Sequence, residues 1–465
     1  MDQISLTDCI DAFLSENVSN ITHSLYQKTA KKSNTYSNIK SNVEKGIRNV
    51  PVIGDGLADR IKRSKDSIKS LVIPGMLFEE MGLTYIGPID GHNIGQMLYA
   101  FNSASKAKGA VLVHVVTKKG KGYKLAEKNP SQYHGVGSFK TKLGASSASS
   151  VIDYTTSFAC KMIDLAKRDE KVVAVSAAML SGTGLDIFKE HFEDRLYDVG
   201  IAEEHAVTFA AAMAAGGLKP VVAIYSTFYQ RAYDQILHDV CLSKHHVVLA
   251  IDRAGIVGPD GSTHQGIYDI SFLRTIPNLA IMAPKNKEEF DEMLEYAVNE
   301  YDGPIAIRYP KGAVYNELSE FKDPIEVGRA EVITKEKDIL LLAFGSMNKV
   351  AHEVYMMLKE NDYNATFVNL RFAAPIDYNT IEELIGEHKL VVTMEENVYS
   401  GGIGQAISAW MKENKYKVDS LNISLPDKFI EHGKRDFLLQ KYGLDSESVY
   451  NKIVGRFYDT FGMED

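Results

Sequence analysis

Residues 221–252 read VVAIYSTFYQRAYDQILHDVCLSKHHVVLAID. Two apolar runs rich in β-branched residues, Val221 to Tyr225 and Val247 to Asp252, flank a segment, Tyr229 to Cys241, with apolar residues at helical spacing. Strand-length apolar runs on either side of a helical pattern describe a βαβ unit. The alternation continues outward in both directions. Upstream, Val172 to Ala178 reads as a strand, Ile187 to Phe192 as a short helix, Leu196 to Val199 as a strand and Glu203 to Ala215 as an Ala-rich helix. Downstream, strand Ile339 to Phe344, helix Lys349 to Lys359, strand Thr366 to Leu370, helix Ile381 to His388 and strand Leu390 to Met394 repeat it. The pattern predicts an α/β class, with parallel sheets covered on both faces and right-handed crossovers.

The 465 residues are 45% apolar and 24% charged, which excludes a disordered chain. A net charge of −9 disfavours broad nucleic-acid or membrane-surface binding, so neither partner is expected. No apolar run approaches the ~18 residues of a membrane span, and the N-terminus lacks the pattern of a signal peptide. Cys9, Cys160 and Cys241 lie far apart without a CxxC, which points to neither a zinc site nor a disulfide framework and fits a reducing cytoplasm. A Ser-rich stretch, Lys142 to Ser150, and a Gly-, Pro- and charge-bearing stretch, Lys311 to Arg329, break the pattern. The expected division is therefore 1–140, a linker at 141–150, a domain at 151–312, a linker at 313–328 and a domain at 329–465. The first segment is polar and weakly periodic, with poor order expected before about residue 70. Order is expected from Gly82 to Ile89 onward, and a helix over Ile94 to Ala107, a strand over Val111 to Thr117 and the loop KKGKGY then read as the tail of an α/β domain.

Chemistry is expected where strands hand over to helices, because open parallel sheets bind ligands at their carboxyl ends. In DVGIAEEHAVTF, Asp198 to Phe209, Glu203 occupies such a place. It could equally be a first-turn glutamate favoured by the helix dipole, and His205 alone reads as a packing or solvent residue. DRAGIVGPDGSTHQG, Asp252 to Gly266, carries four glycines in fifteen residues directly after a strand and presents Arg253, Asp260 and His264 together. Such a loop lets backbone approach a ligand, although a long solvated turn has the same composition. Arg308 adds a guanidinium at the end of a further strand. Arginines converging on one cleft would suit a phosphorylated substrate.

The strings IAEEHAVTFAAA, YSTFYQRAYDQILHDV, DRAGIVGPDGSTHQG and IRYPKG closely resemble the 1-deoxy-D-xylulose-5-phosphate synthase family of the transketolase superfamily. LVIPGMLFEEMGLTYIGPIDGHN, HVVTKKGKGYKLAEKNPSQYHGV, LRFAAPID, EENVYSGGIGQAI and SLPDKFIEHG extend the resemblance from about Leu14 over nearly all that follows. It implies parallel-sheet domains of the transketolase type: a partial first domain, a pyrimidine-binding domain and a transketolase C-terminal domain. It also implies thiamine diphosphate and magnesium as cofactors. Pyruvate and D-glyceraldehyde 3-phosphate would be the substrates, in a condensation with loss of CO2, and the assembly a homodimer. Carried over by position, Glu203 would bond the cofactor's pyrimidine nitrogen, Phe228 would stack on that ring and Tyr123 would approach the cofactor from the first domain. His134 and His264 would be the acid/base groups, a role suited to side chains titrating near neutrality. Tyr225, Arg231, Arg253, Asp260 and Arg308 would bind the acceptor, with the arginines on its phosphate.

The resemblance supplies no protein ligand for the metal. The family's GDG motif, followed roughly thirty residues later by an NDN string, has no counterpart at that spacing. Gly54-Asp55-Gly56 is the one tempting substitute, but no asparagine occurs between Gly56 and Asn93. A Gly-Asp-Gly in a polar stretch reads as a turn. Since magnesium is held by carboxylates together with phosphate oxygens and waters, the diphosphate end of the cofactor is expected to lack its anchor. Three readings follow: a synthase seen as a truncated product and inactive alone, one subunit of a split synthase completed by a separate polypeptide, or a non-catalytic relative binding a sugar phosphate or a partner. A 2-oxo acid dehydrogenase β-subunit would lack the diphosphate half as well, but should not carry the PIDGH and KKGKGY segments.

Overall fold

The computed structural model describes residues 76–130, 133–134 and 152–462. The expected disorder before residue 70, the Gly54-Asp55-Gly56 turn and the linker at 141–150 lie outside the described residues. Two compact units divide the chain close to residue 150. In the first, β1 (Thr84–Asp90) and β2 (Val111–Val116) pair in parallel, joined by the helix Ile94–Lys106. Asn93 caps that helix, its Oδ1 accepting the Gln96 amide at 3.1 Å. The expected helix and the strand after it are present here, with KKGKGY as the turn that follows.

The second unit begins with β3 (Val172–Ser176), β4 (Leu196–Asp198), β5 (Lys219–Tyr225), β6 (Val248–Asp252), β7 (Ala280–Met282) and β8 (Ile305–Arg308). It continues with β9 (Glu331–Thr334), β10 (Asp338–Ala343), β11 (Ala365–Asn369), β12 (Phe372–Ala374), β13 (His388–Val398) and β14 (Asp419–Leu425). These strands form a seven-stranded sheet in the order β12-β7-β8-β6-β5-β3-β4 and a five-stranded sheet in the order β14-β13-β10-β11-β9. Both are parallel except for edge strands β12 and β9, which are antiparallel. The central strands are buried on both faces, as VVAVS and VLAID demand. Their two-residue period divides the side chains between two cores. Val173, Val175, Leu249 and Ile251 meet the Ala-rich helix Glu203–Ala215, while Val172, Ala174, Val248 and Ala250 meet the helix Tyr154–Arg168.

Two expected elements differ. The helix expected over Tyr229 to Cys241 starts earlier, at Ser226, and changes pitch along its length, with a 3-10 segment at Gln230–Ala232 and a π segment at Ile236–Cys241. These changes of pitch keep Tyr229, Ala232, Ile236 and Val240 in the core while Phe228 and Arg231 meet over the end of β5. His388, expected at a helix end, instead opens β13, its ring between Leu384 O at 2.7 Å and Thr366 Oγ1 at 2.8 Å.

The two sheets share one body. Leu340, Leu342, Val368, Leu370 and Ile407 of the C-terminal part belong to the same apolar cluster as Val222, Ile224 and Leu249. Between the sheets lies a buried ionic network. Arg371 donates from Nε to Glu289 at 2.7 Å and from Nη2 to Glu331 at 2.8 Å, while Lys285 Nζ lies 3.2 Å from Glu289 and 2.7 Å from Glu331. Arg371 also donates from Nη2 to the carbonyl of Asp323 and from Nη1 to that of Pro324, so part of the connection expected as a linker at 313–328 is stitched down. Removing one member leaves charges buried without partners, at a cost of about 3–5 kcal/mol. Arg371→Ala should therefore lower unfolding stability by about that amount in urea titration, whereas substituting the exposed Arg329, paired to Glu326 at the surface, should change it little.

Candidate functional site

Strand β3 has β4 on one side and β5 on the other, so the connections leaving these strands diverge at their carboxyl ends. This is where a doubly wound sheet opens a crevice. Asp198, the last residue of β4, closes the following turn by accepting the amides of Ala178 at 2.7 Å and Gly200 at 3.1 Å. The turn delivers Glu203 as the first residue of its helix, with the carboxyl group buried. Burial raises the pKa of Glu203, while its own amide and the Arg231 guanidinium, 2.8 Å from Oε1, pull it back. A carboxyl group raised in this way keeps its proton more readily than an exposed one.

Next to this group stands an aromatic tier. Arg231 lies 5.2 Å from the centre of the Phe228 ring, Tyr225 stacks on Phe228 with centroids 6.0 Å apart, and His264 meets it edge-on at 5.4 Å. Thr227 Oγ1 donates to Thr263 O at 3.1 Å, which fixes the residue before His264. Arg253 lies 4.0 Å over the Tyr225 ring and donates to Asp260 at 3.1 Å. Lys311 reaches the same Asp260 oxygen at 2.6 Å. Burial alone would raise the pKa of Asp260, but the Lys311 bond and the charges of Lys311 and Arg253 hold it below the usual carboxylate range. Glu203, Tyr225, Phe228, Arg231, Arg253, Asp260 and His264 therefore form one continuous cluster.

Arg308, expected among the converging arginines, is only 2% exposed and donates from Nε to Asp269 at 2.7 Å and from Nη2 to the carbonyl of Glu396 at 2.7 Å. As the last residue of a buried strand it ties loop to sheet. Lys311, three residues on and 34% exposed, is the cation that reaches the cluster; the string IRYPKG contained it, but the guanidinium chemistry drew attention to the arginine. Asp252 was also passed over. Fully buried at the end of β6, it accepts the Arg253 amide at 2.6 Å and the Thr155 hydroxyl at 3.2 Å. Tyr123 and His134 belong to the first unit, where Tyr123 packs edge-on to Tyr133 at 5.5 Å and His134 Nδ1 lies 2.8 Å from Lys119 Nζ.

A buried carboxyl beside an aromatic face fits the pyrimidine end of thiamine diphosphate, with Glu203 for a ring nitrogen and Phe228 for the ring. Magnesium finds no such fit: among the described residues no group of three or more His, Cys, Asp or Glu could hold a metal ion.

Family models match residues 150–316 as the transketolase pyrimidine-binding domain, 328–449 as the transketolase C-terminal domain and 6–117 as 1-deoxy-D-xylulose-5-phosphate synthase. The last match starts ahead of Leu14, where the resemblance was placed. A curated relative from Lachnoclostridium phytofermentans, described as 1-deoxy-D-xylulose-5-phosphate synthase, is 53% identical over 95% of this chain and 70% of its own length. One from Clostridium tetani, with the same description, is 45% identical over 93% of this chain and 69% of its own length. Among solved structures, one described as a split-gene transketolase, an inactive β4 tetramer, is 27% identical with a TM-score of 0.59, over 66% of this chain and 98% of its own. A transketolase from Campylobacter jejuni, 17% identical over 83% of this chain and 70% of its own, has a TM-score of 0.55 and supports the fold alone.

Burial raises Asp252 to about 7. The folded state then binds a proton that the unfolded chain releases near pH ~4, so stability falls as pH rises from about 4 to 7 and levels off above. Asp252→Asn keeps an oxygen for the Arg253 amide and removes this slope. Urea melts should show the variant gaining on the parent between pH ~4 and pH ~7, with little difference at pH ~4.

Proposed function

The chain belongs to the 1-deoxy-D-xylulose-5-phosphate synthase family, and from that premise we propose that it serves the condensation of pyruvate with D-glyceraldehyde 3-phosphate, with loss of CO2. The family is one of thiamine-diphosphate-dependent transferases of the transketolase type. The observation that carries the reading is the continuity of the cluster: a buried proton-holding carboxyl at one end, an aromatic tier in the middle and a cationic pair on Asp260 at the other.

When bound, thiamine diphosphate supplies the carbanion chemistry. Glu203 holds a proton at its carboxyl oxygen for the pyrimidine ring, and Arg231 tunes that proton by the charge it sets against burial. Phe228 gives the ring a flat apolar face. His264, fixed by the Thr227–Thr263 bond, moves a proton at the reacting carbonyl. His134 and Tyr123 keep the roles that the family resemblance gives them, an acid/base group and a cofactor contact. Arg253 and Lys311 bind the acceptor's phosphate, and Tyr225 and Asp260 orient them. Lys311 thus takes the role first given to Arg308. The Ala-rich helix Glu203–Ala215, whose small side chains allow close helix approach, suits a homodimer, and sedimentation at micromolar concentration tests it.

The diphosphate end gives the reading its second half. The likeness to a split-gene transketolase favours these residues working with a separate polypeptide that carries the diphosphate and magnesium ligands. A purified 465-residue chain, assayed with thiamine diphosphate and magnesium by calorimetry and for product, should then show weak cofactor binding and no turnover. Addition of a polypeptide bearing GDG and NDN should restore turnover. Micromolar, magnesium-dependent binding with turnover by the chain alone would refute the split arrangement.

Truncating a charged hydrogen-bond donor typically costs about 1.5–3 kcal/mol. Lys311→Ala and Arg253→Ala should each weaken glyceraldehyde 3-phosphate by about that much and leave pyruvate nearly unchanged. Arg308→Ala should act differently, since it strands the buried Asp269 and lowers thermal stability. Equal weakening of both substrates by Lys311→Ala would remove Lys311 from the acceptor site.

A further inference from the structure

The loop from Asp252 to Gly266 is closed at its neck. Gly255 and Gly266 exchange both backbone hydrogen bonds, at 2.5 and 2.8 Å, so the residues between them form a nearly detached ring with Asp260 and His264 on it. Such a ring has little apolar burial to fix its orientation beyond Ile256 and Val257. Thr227, Arg253 and Lys311 hold its outer part, and the C-terminal part of the chain holds the segment next to the neck. Glu396, near the end of β13 and buried, accepts the Ile256 amide on Oε1 at 2.5 Å. Its Oε2 accepts the Ser346 hydroxyl at 2.7 Å and Arg435 Nη2 at 2.6 Å. Its carbonyl takes Arg308, whose guanidinium also reaches Gly266 O at 3.3 Å. One residue therefore grips the ring just inside the neck and, through Arg308, at the neck itself.

The fit is close. A Cβ on Gly255, which has a φ of +80°, would lie 2.4 Å from the Glu396 carboxyl carbon, so the carboxylate packs directly on loop backbone. Three donors occupy three of the roughly four acceptor sites of the carboxylate, and the residue is only 1% exposed. Its contribution is therefore geometric.

We propose that Glu396 is the positioning residue that holds the 252–266 loop in the orientation presenting Asp260 and His264, and so makes the C-terminal domain part of the acceptor site. The acceptor role of the loop rests on the reading given under Proposed function; the grip itself does not. Glutamine is no substitute here. Its one oxygen can serve only one side, and its NH2 must then face either the Ile256 amide or the Ser346 and Arg435 donors.

Glu396→Gln and Glu396→Ala are compared with the parent by hydrogen–deuterium exchange of the full chain and by calorimetry with D-glyceraldehyde 3-phosphate and, separately, pyruvate. Exchange in the 253–266 peptide should accelerate by about tenfold or more in Glu396→Gln, with β10 and the first residues of β13 unchanged. Glyceraldehyde 3-phosphate should bind about tenfold more weakly and pyruvate as before, because small misplacement of binding groups is costly. Ser346→Ala, which spares the Ile256 bond, should give a smaller acceleration confined to the same peptide and keeps the proposal testable if both Glu396 variants fail to fold. Unchanged loop exchange, or acceleration spread equally over β10 and β13, would overturn the proposal. If the parent binds no glyceraldehyde 3-phosphate while the loop peptide still accelerates, the grip stands and the acceptor reading fails.

Discussion

Everything at the site depends on β12, three residues of the C-terminal part that pair with β7 and complete the other domain's sheet. Phe372 opposite Met282 and Ala374 opposite Ile281 place a strand from beyond residue 370 at the edge of a sheet built from residues 172–308. Arg371, immediately before it, is the largest fully buried side chain, and its φ of +54° turns the chain from one sheet into the other. A buried arginine in that backbone conformation is costly unless its donors are satisfied. Glu289, Glu331 and the carbonyls of Asp323 and Pro324 satisfy them. The two sheets are thereby fixed together by a contact whose charged members come from both halves of this unit, Glu289 from a helix after β7 and Glu331 from β9.

That fixation gives the glycine-rich loop its meaning. A loop closed by two hydrogen bonds and rich in glycine could swing about its neck, and the conformational freedom that admits a ligand would then blur the placement of Asp260 and His264. Because β13 is held against β8 through Arg308, the C-terminal part can act as a splint. Besides Glu396, the carbonyl of Glu431 accepts Gln265 Nε2 at 3.0 Å and the Gly433 amide donates to Gly258 O at 3.3 Å. The domain boundary is thus a mechanical component of the site.

The fold was largely legible in the sequence because its central strands carry their own signal. VVAIY and VVLAID are buried on both faces, and nothing local competes with the reading. The helix Glu203–Ala215 occupies the expected residues because the acidic pair at its start and the alanines after it agree. The misses share one cause: the deciding partner is distant in sequence. FAA at 372–374 has no local feature that names β7 as its partner. His388 departs from a helical pattern because Thr366, from another strand, offers its ring a bond. The broken helix after Ser226 follows from having to serve the core and the ligand crevice with one stretch of chain.

The arginines show where chemical reading by residue type runs out. Guanidinium geometry suits phosphate, and this placed Arg308 among the anion-binding residues ahead of Lys311. The same geometry, with donors spread over a rigid plane, makes arginine the residue of choice for tying separate backbone segments together in a buried setting. Sequence alone does not say which use applies. The parity and end of a strand do: Arg308 still has the register of β8, paired with Ile251, and so remains inside the protein. Lys311 lies beyond the strand and past Pro310, where the chain has left the sheet and a long flexible side chain can reach Asp260. The cation available to a ligand is the one the sheet has released.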